Sequence, residues 1–299
     1  MTERKAHLDT LAVVTIVFCC FLGGLNQVAA KAAMPEIPAL WQAAARSVGG
    51  ALLVWLWAMS RGTRLFDPDR TLPGGLLAGV LFAAEFFCIF VGLQFTTASR
   101  MVVWIYIAPF VVALGMPLIA RSERLGVLQS AGLVLAFAGV AWAFAEGFSQ
   151  PHGARQWIGD SLGMLAGVLW GATTLAVRAT ALTRASAEKT LLYQLAISAL
   201  VLLLATLASG APLPAHLSAL AWSSLAFQVV IVTFASYLLW FWLIRHYPAT
   251  RLSSFTMLTP MFGLLLGALL LAEPVTARLL VALATVAAGI FLVNRRTAA

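Results

Sequence analysis

The sequence predicts an all-α integral membrane protein, with ten transmembrane helices arranged as two inverted five-helix repeats. The first observation behind this is composition. The chain is 62% hydrophobic and 10% charged, against about 45–50% and about 25% in soluble domains, which leaves too little polar surface to cover a water-soluble globule. The second is the continuity of the apolar runs, which are about the 20 residues a helix needs to cross a bilayer. They do not alternate as barrel strands do, and a helix satisfies its own backbone hydrogen bonds in lipid. The third is duplication. Residues 98–143 align with 249–294, pairing Ala98-Ser99-Arg100 with Ala249-Thr250-Arg251 and Ala108-Pro109 with Thr259-Pro260. After a one-residue slip, Glu123 meets Glu273 and Gly139 meets Gly289, so the chain contains one unit twice.

The expected spans cover residues 8–30, 39–60, 72–95, 99–120 and 125–145, then 158–177, 189–209, 217–244, 249–271 and 275–294. The first follows Arg4 and Lys5 as a signal peptide would. It exceeds the usual apolar core of about 7–15 residues and matches the start of the second half, so it reads as a retained span. The second contains Arg46, and the third holds Glu85 near its middle. The fourth and ninth carry Pro109 and Pro260, which interrupt the backbone ladder at matching depth, as kinks or as hinges. The sixth carries Gly159, Gly163, Gly167 and Gly171, a stripe on which a neighbouring backbone can pack or slide. The fifth and tenth are almost purely apolar and read as outer braces. The domain division is therefore 1–146 for the first repeat, 147–157 for a polar linker and 158–299 for the second repeat.

Lysine and arginine collect in cytoplasmic loops. Fourteen of the nineteen fall on the face that holds both termini, and four, Lys31, Arg100, Arg155 and Arg278, fall on the other. Both ends are therefore expected in the cytoplasm. A five-span half that starts inside must finish outside, so the second half enters upside down, the plan of many secondary transporters.

The net charge of +8 does not imply nucleic acid, because no basic face or reading motif accompanies it. Cys19, Cys20 and Cys88 lie in apolar runs without paired spacing, which argues against disulfides and zinc. No phosphate-cradling glycine loop is present. The histidines, His7, His152, His216 and His246, lie at span ends or in loops, so no catalytic constellation, cofactor or metal site is expected.

Glu85 is the acid placed deepest, where an unpartnered charge is costly. It reads as a proton carrier, as an acceptor for a solute ammonium, or as a structural partner of Arg46. Asn26 and Gln27 in the first span match Thr173 and Thr174 in the sixth, as cavity lining or as bonds between helices. Trp104, Tyr106, Trp170, Tyr193, Tyr237 and Trp240 combine a broad apolar face with a polar tip, as walls of a pocket. Trp41 and Trp157 read as interface anchors.

The glycine and cation that close the first span of each half, Gly24 with Lys31 and Gly171 with Arg178, join the proline helix, Glu123 or Glu273, and the glycine-bearing last helix. With these features the chain resembles the EamA-type transporters of the drug/metabolite transporter superfamily, and within it the bacterial aromatic amino-acid exporters. Gly23-Gly24 stands where Trp170-Gly171 stands in the second half. The resemblance implies a bacterial inner-membrane carrier with a central cavity. The expectation is a secondary exporter of small metabolites, amino acids with aromatic or other apolar side chains favoured, working by alternating access. Spans one to four and six to nine would line the cavity, with Asn26, Glu85, Trp104, Trp170, Thr173 and Tyr237 binding solute. The expected partners are that solute and the lipid bilayer, with no nucleic acid, as a monomer or weak dimer, and with proton coupling left open. The alternatives are a membrane-embedded enzyme acting on lipid-linked substrates and a passive channel.

Overall fold

The computed structural model describes residues 5, 7–65, 67, 69–149, 153–214, 216–270 and 277–295, and among them every regular element is a helix. In chain order these are α1 (Thr10–Ala33), α2 (Ala39–Ser60), α3 (Leu72–Gly92), α4 (Ala98–Ile105), α5 (Ala108–Ile119), α6 (Val127–Ala143) and the short α7 (Glu146–Ser149). The second half holds α8 (Gln156–Ala179), α9 (Ala187–Ala208), α10 (Ala219–Ala226), α11 (Tyr237–His246), α12 (Ala249–Phe255), α13 (Leu258–Leu270) and α14 (Ala277–Asn294). A π-helical stretch, Phe227–Ser236, joins α10 to α11 without a break.

Eight spans are long and apolar enough to cross a membrane, with α4 and α5 counted as one, α12 and α13 as another, and α10 to α11 as a third. The other two of the ten spans expected from sequence correspond to shorter apolar helices, Val127–Ala143 and Leu280–Asn294. At 17 residues, α6 is about 25 Å long at 1.5 Å per residue, short of a hydrocarbon core of about 30 Å. It follows a 3₁₀ turn, Arg121–Glu123. The expected start of the tenth span and Glu273 lie outside the described residues.

Large apolar side chains line the outer surface, with Leu118 at 90% and Leu114 at 78% exposure. Such a belt is untenable in water and suits acyl chains. Trp157 is exposed as an anchor should be, whereas Trp41 also donates to the Ala211 carbonyl at 3.2 Å.

The prolines act as breaks. Pro109 sits in the first turn of α5 and Pro260 in that of α13, where a missing N–H costs nothing. The fourth and ninth spans therefore each split just ahead of their proline. Packing between the halves is reciprocal. Helix α8 lies against α4 and α5, and α1 lies against α13. A Cβ at Gly171 would come within 2.5 Å of Val111, and one at Gly24 within 2.6 Å of Phe262. Val111 and Phe262 are themselves repeat equivalents, so both contacts are the same contact made twice. Helix α2 packs on α9 and α6 on α14, while α3 lies against both α8 and α9.

Candidate functional site

A cavity of about 360 Å³ lies among these helices. It is lined from α1 by Cys19, Cys20, Asn26 and Gln27, from α2 by Arg46, and from α3 by Phe82, Glu85 and Phe86. The α4 break adds Ile105 and Tyr106, α8 adds Trp170, Thr173 and Thr174, and α9 adds Gln194. Ser236, Tyr237, Trp240 and Phe241 close it around the π-helical join, with Thr256 and Thr259 at the second break. No lining residue comes from α6 or α14, which pack on each other instead.

Five of the six predicted binding residues are brought together here: Asn26, Glu85, Trp170, Thr173 and Tyr237. Trp104 is not among them. It lies on α4, ahead of the break, where its ring meets Phe148 edge-on at 6.0 Å and its Cβ comes close to where a side chain at Gly163 would stand. Val102 and Ile105, on the same helix, do line the cavity. Tyr193 also lies elsewhere, its ring against Gly75 and its hydroxyl 3.3 Å from that of Thr71.

Of the readings open for Glu85, the pairing with Arg46 is absent among the described residues. Arg46 instead donates from Nε to Thr233 Oγ1 at 3.2 Å and from Nη2 to the Tyr237 hydroxyl at 3.1 Å. Its guanidinium lies 5.8 Å from the Phe86 ring centre. Glu85 is 6% exposed, and its Oε2 has no hydrogen-bond partner. The Asn26 Oδ1 and Gln194 Oε1 acceptors are likewise buried without partners. By contrast the Thr173 hydroxyl is satisfied by the Leu169 carbonyl at 2.8 Å. The aromatic wall is ordered by edge-to-face contacts, Tyr106 with Trp170 at 5.6 Å and Phe82 with Tyr237 at 6.3 Å. Gln194, Thr256 and Thr259 were not singled out from sequence, although Gln194, an amide inside an apolar run, was a usable signal.

The two ends of the cavity differ. At the end marked by Arg178, Thr174, Phe241 and Thr256 are buried. Arg178 forms an ion pair with Glu123, with side chains 1% and 5% exposed. It also donates to the Ile244 and Tyr247 carbonyls at 3.0 and 3.4 Å, and Glu123 Oε2 accepts the Thr250 N–H at 3.2 Å. This cluster ties together the ends of α8, α11 and α12 and the 3₁₀ turn after α5. At the end marked by Lys31, Gly23, Asn26 and Ile89 are partly accessible, and Gln27 and Lys31 are exposed. Gln27 and Lys31 are the repeat counterparts of Thr174 and Arg178. Equivalent positions are thus closed over at one end and accessible at the other.

A further tie at the Arg178 end joins the halves. Asp69, before α3, accepts from Thr71 Oγ1 at 2.6 Å and from Lys189 of α9 at 2.9 Å. The Thr71 hydroxyl first, and then Lys189, hold the Asp69 carboxyl down from 3.8 to about 2. A depressed carboxylate contributes stability above its unfolded value and loses it as pH falls through its folded one. Asp69→Asn should therefore lower the thermal unfolding midpoint slightly at pH 7, since the side chain is 40% exposed. The difference from wild type should shrink as pH falls from about 4 towards about 2; a pH-independent difference would contradict the assignment.

The model of the EamA-like transporter family matches this chain twice, over residues 10–145 and 157–295. "Uncharacterized transporter YvbV" of Bacillus subtilis is 27% identical over 296 residues, spanning 97% of this chain and 93% of its own length. "Uncharacterized protein PA1977" of Pseudomonas aeruginosa is 29% identical over 296 residues, spanning 98% and 96%. A solved crystal structure superposes with a TM-score of 0.80 at 17% identity, covering 96% of this chain and 99% of that one; at that identity it shows a shared fold.

Proposed function

The chain belongs to the EamA-like transporter family and is a multi-pass membrane transporter, and we propose that it is a secondary exporter of small metabolites, amino acids with aromatic or other apolar side chains foremost. It would work by alternating access in a bacterial inner membrane, with both termini in the cytoplasm. The observation that carries this reading is the cavity between the halves, closed by a buried ion pair at one end and accessible at the equivalent positions of the other. A channel needs an open path through both ends. A carrier needs two gates that take turns.

In this reading residues 1–146 and 158–299 are inverted repeats, with α6 and α14 completing a set of ten spans. The Arg178 end faces the cytoplasm by the positive-inside rule, so the conformation described is the outward-facing one. Asn26, Glu85, Trp170, Thr173 and Tyr237 would contact the solute, with Arg46 in place of Trp104. Purified protein in liposomes loaded with unlabelled L-phenylalanine should accumulate the labelled amino acid by counterflow, saturably. Absence of counterflow for every amino acid tried, with or without a proton gradient, would overturn the proposal.

A further inference from the structure

A cation, Arg46, and an ionisable carboxyl, Glu85, both line this cavity, and among the described residues no ion pair engages either. Arg46 is held by a threonine hydroxyl and a tyrosine hydroxyl. Both are neutral, so they orient the guanidinium without cancelling its charge. Among the described residues Nη1 makes no hydrogen bond and no carboxylate lies within ion-pair distance of Arg46. Among the described residues Glu85 has no ion-pair partner, and its Oε2 accepts no hydrogen bond. Unbalanced charges at membrane depth are costly and mark solute or ion pathways. That Arg46 and Glu85 line one cavity without pairing is the feature that needs an explanation.

The hydrogen-bonding inventory points the same way. Glu85 Oε2, Asn26 Oδ1 and Gln194 Oε1 are three acceptors without donors, and all three residues line the cavity. A primary ammonium offers three donors and no acceptor. Arg46 offers the complementary group, a planar donor fork suited to a carboxylate. The remaining wall is aromatic, from Phe82, Phe86, Tyr106 and Trp170. One solute of net zero charge, bearing an ammonium and a carboxylate on an apolar body, would balance both protein charges at once.

Resting on the transport reading above, we propose that Arg46 and Glu85 form a two-point charge clamp, Arg46 taking the carboxylate and Glu85 the ammonium of a zwitterionic solute. The clamp sets charge selectivity, and each half can be removed separately. With Glu85 neutral, the cavity keeps one positive charge and should favour an anion. With Arg46 neutral, it keeps one negative charge and should favour a cation.

The experiment measures binding of three probes of matched apolar body to purified protein in nanodiscs: L-phenylalanine, 3-phenylpropanoate and 2-phenylethylamine. Wild type should bind L-phenylalanine at least about tenfold more tightly than either analogue, a ratio worth about 1.4 kcal/mol. Glu85→Gln should reverse the order towards 3-phenylpropanoate, and Arg46→Gln towards 2-phenylethylamine. Because each result is a ratio within one variant, a loss of folded protein cannot imitate it. Arg46→Lys, which keeps the charge, should retain the wild-type order with weaker binding. Unchanged order in both neutral variants, or no preference for L-phenylalanine in wild type, would overturn the clamp. Counterflow of an uncharged solute without binding of any probe would sink the clamp and leave the carrier standing. Reversed orders without any counterflow would do the opposite.

Discussion

Glu123→Ala should open the Arg178 end of the cavity. The pair lies almost wholly out of water, and removing one partner leaves Arg178 as an uncompensated buried charge. Such losses cost about 3–5 kcal/mol. On the proposed alternating-access cycle the cost falls on the conformation described, in which the carbonyls of Ile244 and Tyr247 and the N–H of Thr250 gather around the pair. An open end lets water reach Arg178, so the population shifts, by about tenfold for each 1.4 kcal/mol of difference between the states. Ser254, fully buried near this end, reports the shift. In a background lacking the native cysteines, Ser254→Cys should react with an impermeant thiol reagent at least about tenfold faster when Glu123→Ala is added. Replacing both partners, Glu123→Leu with Arg178→Leu, should cost less than either single change. Equal reactivity with and without Glu123 would show that the pair holds nothing shut.

Gly167→Leu should abolish transport and lower the unfolding midpoint. A Cβ there would stand 2.7 Å from the Trp104 carbonyl oxygen and 2.8 Å from that of Ile105. Both are backbone atoms at the break between α4 and α5, so no side-chain rotation relieves the clash and the helices must separate. Overpacking typically costs about 1–3 kcal/mol, and here it also displaces Ile105 and Tyr106 from the cavity wall. Gly163→Ala is the milder comparison, since its nearest contacts, Met101 Sδ and Trp104 Cβ, are both 3.0 Å away. Thermal unfolding and counterflow measured together should rank wild type, Gly163→Ala and Gly167→Leu in that order. A Gly167→Leu protein as stable and active as wild type would show that the interface is loose.

The glycine stripe was legible as a packing surface because spacing alone puts four small residues on one helix face. What it packs against was not, since nothing local identifies the α4 break as its partner. Glu85 was legible as a candidate because an acid in an apolar run stands out, and it lines the cavity. Whether it pairs with Arg46 was left open, because sequence carries no distances. The structure sends Arg46 across the seam to Thr233 and Tyr237 instead. Trp104 lies off the cavity while Val102 and Ile105 of the same helix line it, because a proline marks where a ladder is interrupted but not which way each side chain of the preceding turn points. The π-helical stretch Phe227–Ser236 contains neither glycine nor proline, so no local residue announced the register change that presents Ser236 and Tyr237 to the cavity. Polar residues in lipid thus reveal that they matter, while tertiary geometry decides what they touch.

Two cysteines, introduced one at a time into a protein lacking Cys19, Cys20 and Cys88, test the alternation of gates most directly. Gln27→Cys sits at the accessible end and Thr174→Cys at the closed one. Impermeant thiol reagent applied from either side of oriented vesicles should label Gln27→Cys quickly from the periplasmic side and Thr174→Cys slowly from the cytoplasmic side. Adding Glu123→Ala should reverse those rates together, one falling as the other rises. Conditions that raise labelling at one position while leaving the other unchanged, or raise both, would contradict a carrier whose two ends are never open at once.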